Sequence, residues 1–141
     1  MYRKILVPTD GSEHALKAAG YAVELARLKP DTRITLIYVH TPYEGLAEVE
    51  APFAAFREAM EKHGEDMMAR TAAVFEKAGI KVEKVFRWGD PGSEIAQLAN
   101  NEGFDLVVMG TRGAGALGTL LMGSVARKVV HLAQCPVFLV K

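Results

Sequence analysis

Glycines are concentrated in one segment, residues 110–124, which ends at the predicted start of a helix. The segment contains five glycines: Gly110, Gly113, Gly115, Gly118 and Gly123. Glycine lets backbone N–H groups approach a ligand without Cβ interference, and a helix N-terminus adds unpaired N–H donors. Ser124 contributes a hydroxyl, and Arg112 is the one cation in the segment. The pattern predicts phosphate binding, and the alternative is a turn whose glycines serve only the backbone.

Two better-known glycine motifs are partly matched by this segment. Residues 113–118 spell G-x-G-x-x-G, but a dinucleotide-binding fold expects an acidic residue about 20 positions later. No acidic residue follows Asp105 in the sequence. Residues 118–124 have the outer frame of a P-loop but lack its lysine. We therefore reject both motifs.

A second group of unusual residues, Pro8-Thr9-Asp10-Gly11, follows the first of five short apolar runs. The runs predicted to be strands are 5–7, 34–39, 82–86, 106–109 and 137–140. Most are apolar without alternation, as in parallel strands covered on both faces, whereas 82–86 alternates like a half-exposed edge. In such sheets ligands bind beyond the carboxyl ends of the strands, where the strand order reverses. Asp10 is thus a second candidate ligand contact, with capping of the first helix as the alternative.

Helical patterns lie between the strands and predict an α/β domain over residues 1–141. The first helix follows Ser12 as N-cap, and Asp90 and Pro91 open the third. The second spans about 51–78, with Gly64 as a weak point and Gly79 at its end. Its expected core face carries Phe53, Phe56, Met60, Met67, Thr71, Val74 and Ala78. The last helix begins at Gly123-Ser124, with Val125, Val129 and Leu132 expected to face inward. Right-handed crossovers then place helices on both faces of the sheet.

Composition excludes several classes of function. Seventeen basic and seventeen acidic side chains cancel, so nothing favours nucleic acid or anionic lipid. No apolar run approaches the ~20 residues of a membrane span, and the first residues do not resemble a signal peptide. The single cysteine, Cys135, excludes an internal disulfide. A cytoplasmic location without membrane insertion is expected.

Several other conspicuous residues receive ordinary structural interpretations. The four histidines have no metal-binding spacing, so we expect surface or boundary positions for His14, His40, His63 and His131. Trp88 is expected to pack, and the irregular stretch 40–50 is the best candidate for a mobile loop. Arg112 is either a phosphate contact or a solvated loop charge.

The chain resembles the universal stress protein family. Gly110-x2-Gly113-x9-Gly123-Ser124 matches the glycine signature of its ATP-binding branch. The opening residues 5–12 and the closing residues 135–140 are similar to the family's ends, and Asp105 to Gly110 also fits. The similarity runs through essentially the whole chain in one register.

The resemblance implies a three-layer sandwich of the adenine nucleotide alpha hydrolase type, with a five-stranded parallel sheet in the order 3-2-1-4-5. It also implies ATP and Mg²⁺ as ligands. Val39 would contact adenine through its backbone, and Asp10 would lie near ribose or phosphate and hold Mg²⁺. The remaining implied site residues are Pro8, Thr9, Met109, Gly110, Arg112 and Gly113 around ribose and phosphate, and Gly123, Ser124 and Val125 around the outer phosphates.

The final strand, Val137 to Val140, is apolar and uncharged, which invites pairing with another chain. The resembling family dimerises through this strand, so a homodimer is expected.

Three functions remain open. The first is a nucleotide-dependent regulatory module in stress physiology, acting on a partner that the sequence does not identify. The second is a slow ATPase or related enzyme, although the catalytic loops of such enzymes are missing. The third is an interaction protein that binds no nucleotide.

Overall fold

The computed structural model describes residues 2–41, 53–112 and 122–141, apart from the side chain of Phe53. Strands and helices alternate through these ranges as the apolar pattern predicts. In chain order they are β1 (Lys4–Pro8), α1 (Glu13–Leu28), β2 (Arg33–His40), α2 (Phe53–Lys77), β3 (Val82–Trp88), α3 (Pro91–Asn101), β4 (Leu106–Gly110), α4 (Ser124–Leu132) and β5 (Val137–Val140). The stretch 40–50, expected to be a loop, lies outside the described residues from residue 42 onward.

The strands form one parallel sheet in the order β3-β2-β1-β4-β5, which confirms the expected fold. Side chains alternate along β1, so that Ile5 and Val7 face α1 and α2 while Leu6 faces α3 and α4. All three side chains are fully buried because helices cover both faces. A strand between two helical layers therefore reads as an uninterrupted apolar run.

Local capping determines where the helices begin and end. The Ser12 hydroxyl accepts a hydrogen bond from Ala15 N at the start of α1, and the Asp90 carboxylate accepts one from Ser93 N at the start of α3. Gly79 and Gly103 follow α2 and α3 with positive φ angles of 73° and 65°. These caps confirm the predicted starts of α1 and α3 and the predicted end of α2, because each depends on residues close in sequence.

The buried face of α2 differs from the predicted one. Met68, Ala72 and Phe75 are fully buried together with the predicted Thr71, whereas Met67 is only half-buried. Apolar residues occur in adjacent pairs along this helix, including Met67 with Met68, so the pattern is compatible with two stripes about one residue apart. Contact with the sheet selects the stripe that contains Met68 and Phe75. The first half of the predicted stripe, at Phe56 and Met60, is half-buried.

The inward face of α4 also differs at its C-terminal end. Ala126 and Val129 are buried, but Leu132 remains 42% exposed. Ala133, directly after the helix, packs against the core in its place. Within the described ranges, no helix combines the length and hydropathy required to cross a bilayer.

Candidate functional site

The carboxyl ends of β1 and β4 lie side by side near the middle of the sheet. Leu6 in β1 is opposite Val107 in β4, so Pro8 and Met109 reach the same edge. From this edge β1 leads into α1 on one face of the sheet, while β4 leads toward α4 on the other. The crossovers diverge here, which is the topological position at which open α/β sheets bind ligands. Pro8, Thr9, Met109 and Gly110 are all buried at this edge.

The loop after β1 is held by hydrogen bonds to the sheet and to α2. Thr9 N donates to Ile37 O at 2.9 Å. The Thr9 hydroxyl lies 2.6 Å from that of Thr71 and accepts from Gly11 N at 3.0 Å. Both the hydroxyl and the backbone N–H of Thr9 are therefore engaged inside the protein, where they shape the loop.

Gly11 fixes the close approach of this loop to α2. Its φ angle is +77°, and a Cβ at this position would overlap the sulfur of Met67. Arg70 Nη1 donates to Gly11 O at 3.0 Å from the same helix. A side chain at position 11 would therefore move the loop that carries Asp10.

Asp10 is half-buried at the tip of this loop, with Oδ1 accepting a hydrogen bond from Ser12 N at 3.0 Å. This short turn orients the carboxylate, while Ser12 itself caps α1, so the capping alternative for Asp10 is only partly correct. Burial, and secondarily the charge of Asp10, raises the pKa of Tyr38. The carboxylate thus places negative charge toward the end of β2.

The ends of the glycine-rich segment are brought together at the carboxyl end of β4. Thr111 N donates to Val140 O at 2.9 Å, and Gly123 N donates to Thr111 O at 2.6 Å. A Cβ on Gly110 would lie 2.9 Å from the Cβ of His14, so the first turn of α1 rests directly on the β4 backbone. Gly113 lies outside the described residues, and Arg112 is half-buried beside it in sequence.

The hydrogen bond between Gly123 and Thr111 also positions the N-terminus of α4. Gly123 is the N-cap and, having no side chain, provides no side-chain hydrogen bond to the first turn. Ser124 is exposed and Val125 is half-buried there. The first turn therefore presents backbone N–H groups and a hydroxyl beside the end of β4, an arrangement suited to an anion.

Val39 lies at the same edge, one residue before the end of β2. Its side chain is half-buried against the α3 and α4 side of the sheet. Pro8 is opposite Ile37, so β2 extends past the end of β1. The structure thus brings the described candidate residues to the carboxyl ends of three neighbouring strands, β2, β1 and β4.

His40 is buried, contrary to the expected surface or boundary position, and only 3% of it is exposed. Its ring stacks on Trp88 with centroids 4.4 Å apart and meets Tyr38 edge-on at 4.9 Å. Alternation along β2 could have predicted this burial, because His40 follows Leu36 and Tyr38 on one face of the strand. Register with β3 then places it opposite Trp88, which packs as expected.

A groove of about 550 Å³ lies between α3 and α4. Its lining includes Ser124 and Val125, and Lys128 Nζ donates to Asp90 Oδ2 across it at 2.9 Å. The hydrogen bond from Lys128, followed by those from Ser93, lowers the pKa of Asp90 from 3.8 to about 2. This open groove shares the start of α4 with the strand-end site. The strand-end site is the better ligand candidate because it also joins β1 and β4.

Comparison with known proteins gives a consistent result. The sequence profile of the universal stress protein family matches residues 1–141. The chain is 36% identical over 143 residues to universal stress protein MJ0531 of Methanocaldococcus jannaschii, covering 100% of this chain and 83% of that protein. It is 38% identical over 143 residues to a universal stress protein of Thermus aquaticus, with 100% of both covered.

Solved structures show the same fold. That of MJ0577, also from M. jannaschii, superposes with a TM-score of 0.84 at 32% identity, covering 100% of this chain and 96% of that one. Two further universal stress proteins, at 22% and 24% identity, were solved with cAMP and dAMP and share the fold with TM-scores of 0.74 and 0.68. This chain belongs to the universal stress protein family.

Proposed function

We propose that this chain binds ATP with Mg²⁺ at the carboxyl ends of β2, β1 and β4, and that nucleotide occupancy regulates its action on another protein. The main support is the hydrogen bond from Gly123 N to Thr111 O, which joins the start of α4 to the end of β4. That contact holds the first turn of α4 beside the end of β4. Because the β1–α1 loop lies at the same place, both could contact one ligand.

The outer phosphates are assigned to the start of α4. The N–H groups of Ser124 and Val125, directly after the N-cap Gly123, and the Ser124 hydroxyl would supply donors to phosphate oxygens, and the helix dipole favours their negative charge. Gly110, Arg112 and Gly113 are assigned to ribose and the inner phosphate. The absence of a Cβ at Gly110 allows the first turn of α1 to approach, which keeps Asp10 at the same edge.

The base is assigned to the end of β2. Val39 would bind adenine through its backbone N–H and C=O, with its side chain remaining in the core. Pro8, Thr9 and Met109 would shape the floor between the base and the phosphates. Complexes of two distant relatives with cAMP and dAMP agree with an adenine nucleotide at this kind of fold.

Asp10 is assigned to Mg²⁺. Among the described residues no cluster of three or more histidine, cysteine or acidic side chains could hold a metal by itself. A single oriented carboxylate nevertheless fits Mg²⁺, which is commonly bound by one or two carboxylates and the phosphates of a nucleotide. When bound, the ion would neutralise phosphate charge near the negative Asp10.

Calorimetric titration with ATP, in the presence and absence of Mg²⁺, tests this function. Asp10→Asn removes the charge while the amide oxygen can still accept from Ser12 N. We expect it to weaken Mg-ATP binding by about 10- to 100-fold, as for loss of a charged contact of about 1.5–3 kcal/mol. Asp31→Asn is the control because Asp31 lies just before the amino end of β2, away from the carboxyl ends of the strands.

Wild-type protein that binds no ATP under either condition would end the proposal. Equal binding by the wild type and Asp10→Asn would remove the Mg²⁺ assignment alone. A parallel turnover assay addresses the enzymatic alternative, because hydrolysis unchanged by Asp10→Ala would argue for binding without catalysis.

A homodimer through β5 belongs to the same proposal. Phe138 in β5 is 40% exposed and lies beside Tyr21 of α1, which is 46% exposed, with ring centroids 5.7 Å apart. Apolar side chains around an edge strand favour its pairing with a second copy.

A further inference from the structure

His40 is enclosed by rings at the end of β2. Its ring stacks on Trp88 with centroids 4.4 Å apart and on Phe86 at 6.0 Å, while Tyr38 meets it edge-on. From the opposite side α2 approaches at Gly64, where a Cβ would lie only 2.5 Å from His40 Cε1. The imidazole therefore sits between β3 and α2 with little space for rearrangement.

The polar edge of this ring is incompletely satisfied. His40 Nδ1 is buried and has no hydrogen-bond partner among the described residues. A neutral imidazole can leave this atom as an unpaired acceptor, whereas an imidazolium needs an acceptor for its second N–H. Protonation of His40 in the closed structure would thus bury an unpaired donor and a charge, which is the more costly arrangement.

The charged neighbours of His40 do not offset this cost. Burial, the largest effect, lowers the pKa of His40; Glu61 and Glu65 raise it, and Arg57 and His63 lower it, all four on α2. Arg57 also lies 5.0 Å above the ring of Trp88 in β3. On β2 the titratable neighbour is Tyr38, whose own pKa is raised chiefly by burial, so it stays neutral in the acid range.

The two halves of α2 are held very differently. From Ala54 to His63 no side chain is fully buried, and only Phe56 and Met60 are half-buried. Beyond Gly64 the helix buries Met68, Thr71, Ala72 and Phe75. A hydrogen bond between the hydroxyls of Thr71 and Thr9, and one from Arg70 to Gly11 O, add to this second half. Gly64 itself is a weak point in the helix, since glycine there disfavours helical backbone.

We propose that His40 is an acid-sensitive switch, whose protonation releases the first half of α2 from the sheet while the second half stays docked. The open form binds one more proton than the closed form. The opening constant should therefore rise as the pH falls below the ordinary histidine value of about 6.5, by up to about tenfold per pH unit. Above that pH His40 is neutral in both forms and the helix remains closed.

Hydrogen exchange of the full chain between pH 7.5 and 5, corrected for the intrinsic exchange rate, tests this proposal. We expect amides between 57 and 63 to lose protection by up to about tenfold per pH unit. Amides between 68 and 75 should retain their protection. Trp88 is the single tryptophan in the sequence, so a red shift of its emission over the same pH range reports the loss of its cover independently.

Two variants separate His40 from other titrating groups. His40→Phe keeps an aromatic ring in the stack and should abolish the pH dependence of both signals. His63→Gln, at an exposed histidine on the same helix, should retain the pH dependence, because His63 has the smallest of the four charge effects on His40. Equal loss of protection in both halves of α2, or wild-type pH dependence in His40→Phe, would overturn the proposal. If His40→Phe fails to fold, the comparison of the two halves in the wild type decides alone.

Discussion

Asp90 shows how one side chain can serve two elements. Its Oδ2 accepts from Ser93 N at 3.0 Å as the N-cap of α3 and from Lys128 Nζ of α4 at 2.9 Å. The cap is the larger contribution, because the ion pair is about half exposed and screened by solvent. Gly92, two residues further on, keeps the two helices close, since a Cβ there would lie 2.7 Å from the Cβ of Lys128.

We predict that Asp90→Ala lowers the free energy of unfolding by about 1 kcal/mol at pH 7. The folded pKa of about 2 lies below the ordinary 3.8, so the charge-dependent contribution is complete above about pH 4 and disappears as the pH falls toward 2. Urea unfolding of both proteins at pH 7 and pH 2.5 checks this. Asp90→Ser keeps a capping oxygen and should lose less, and a difference independent of pH would contradict the charge argument.

Glycines within the helices have opposite roles in α1 and α2. Gly64 in α2 rests on the rings of His40 and Tyr38, where an added Cβ would lie 2.5 and 2.8 Å from ring carbons. These rings are themselves packed against Phe86 and Trp88 and cannot easily move. At Gly20 in α1, an added Cβ would meet no atom of another described element within 4 Å. The same substitution should therefore have opposite effects in the two helices.

We expect Gly64→Ala to destabilise the protein by about 1–3 kcal/mol through overpacking, despite a gain in helix propensity of about 1 kcal/mol. Gly20→Ala should stabilise it by up to about 1 kcal/mol, because only the propensity changes. Chemical denaturation of the two variants gives both values. A stabilised Gly64→Ala protein would show that α2 does not press on the His40 rings.

The two edges of the sheet differ in their protection against pairing. β3 carries Glu83, Lys84 and Arg87 as exposed charged side chains, which discourage the addition of another strand. β5 consists of Val137, Phe138, Leu139 and Val140, without a charge. β5 is therefore the edge strand at which a second copy should bind.

We predict that Phe138→Lys converts a dimer into a monomer at micromolar concentration, as measured by sedimentation velocity. The monomer fold should survive because Phe138 is already 40% exposed. Phe86→Lys is the matched control, since Phe86 is a phenylalanine on the opposite edge strand with 37% exposure. A monomeric wild-type protein, or equal dissociation of both variants, would exclude β5 as the interface.

Local and repetitive features of this protein could be predicted from its sequence. The apolar runs predict five strands because buried parallel strands need apolar residues on both faces, and the caps at Ser12 and Asp90 act within a few residues. The resemblance of the glycine signature to that of the universal stress proteins implied the sheet order. That order places the carboxyl ends of β1 and β4, at Pro8 and Met109, side by side.

Contacts between distant residues were decided only by the tertiary structure. The sheet selects Met68 and Phe75 over their neighbours as the buried face of α2, and β3 together with α2 encloses His40. Thr71 turns the Thr9 hydroxyl inward, and Thr111 joins Gly123 across the glycine-rich segment. Sequence pattern constrains each element alone, whereas these contacts depend on the rotation and depth at which separate elements pack.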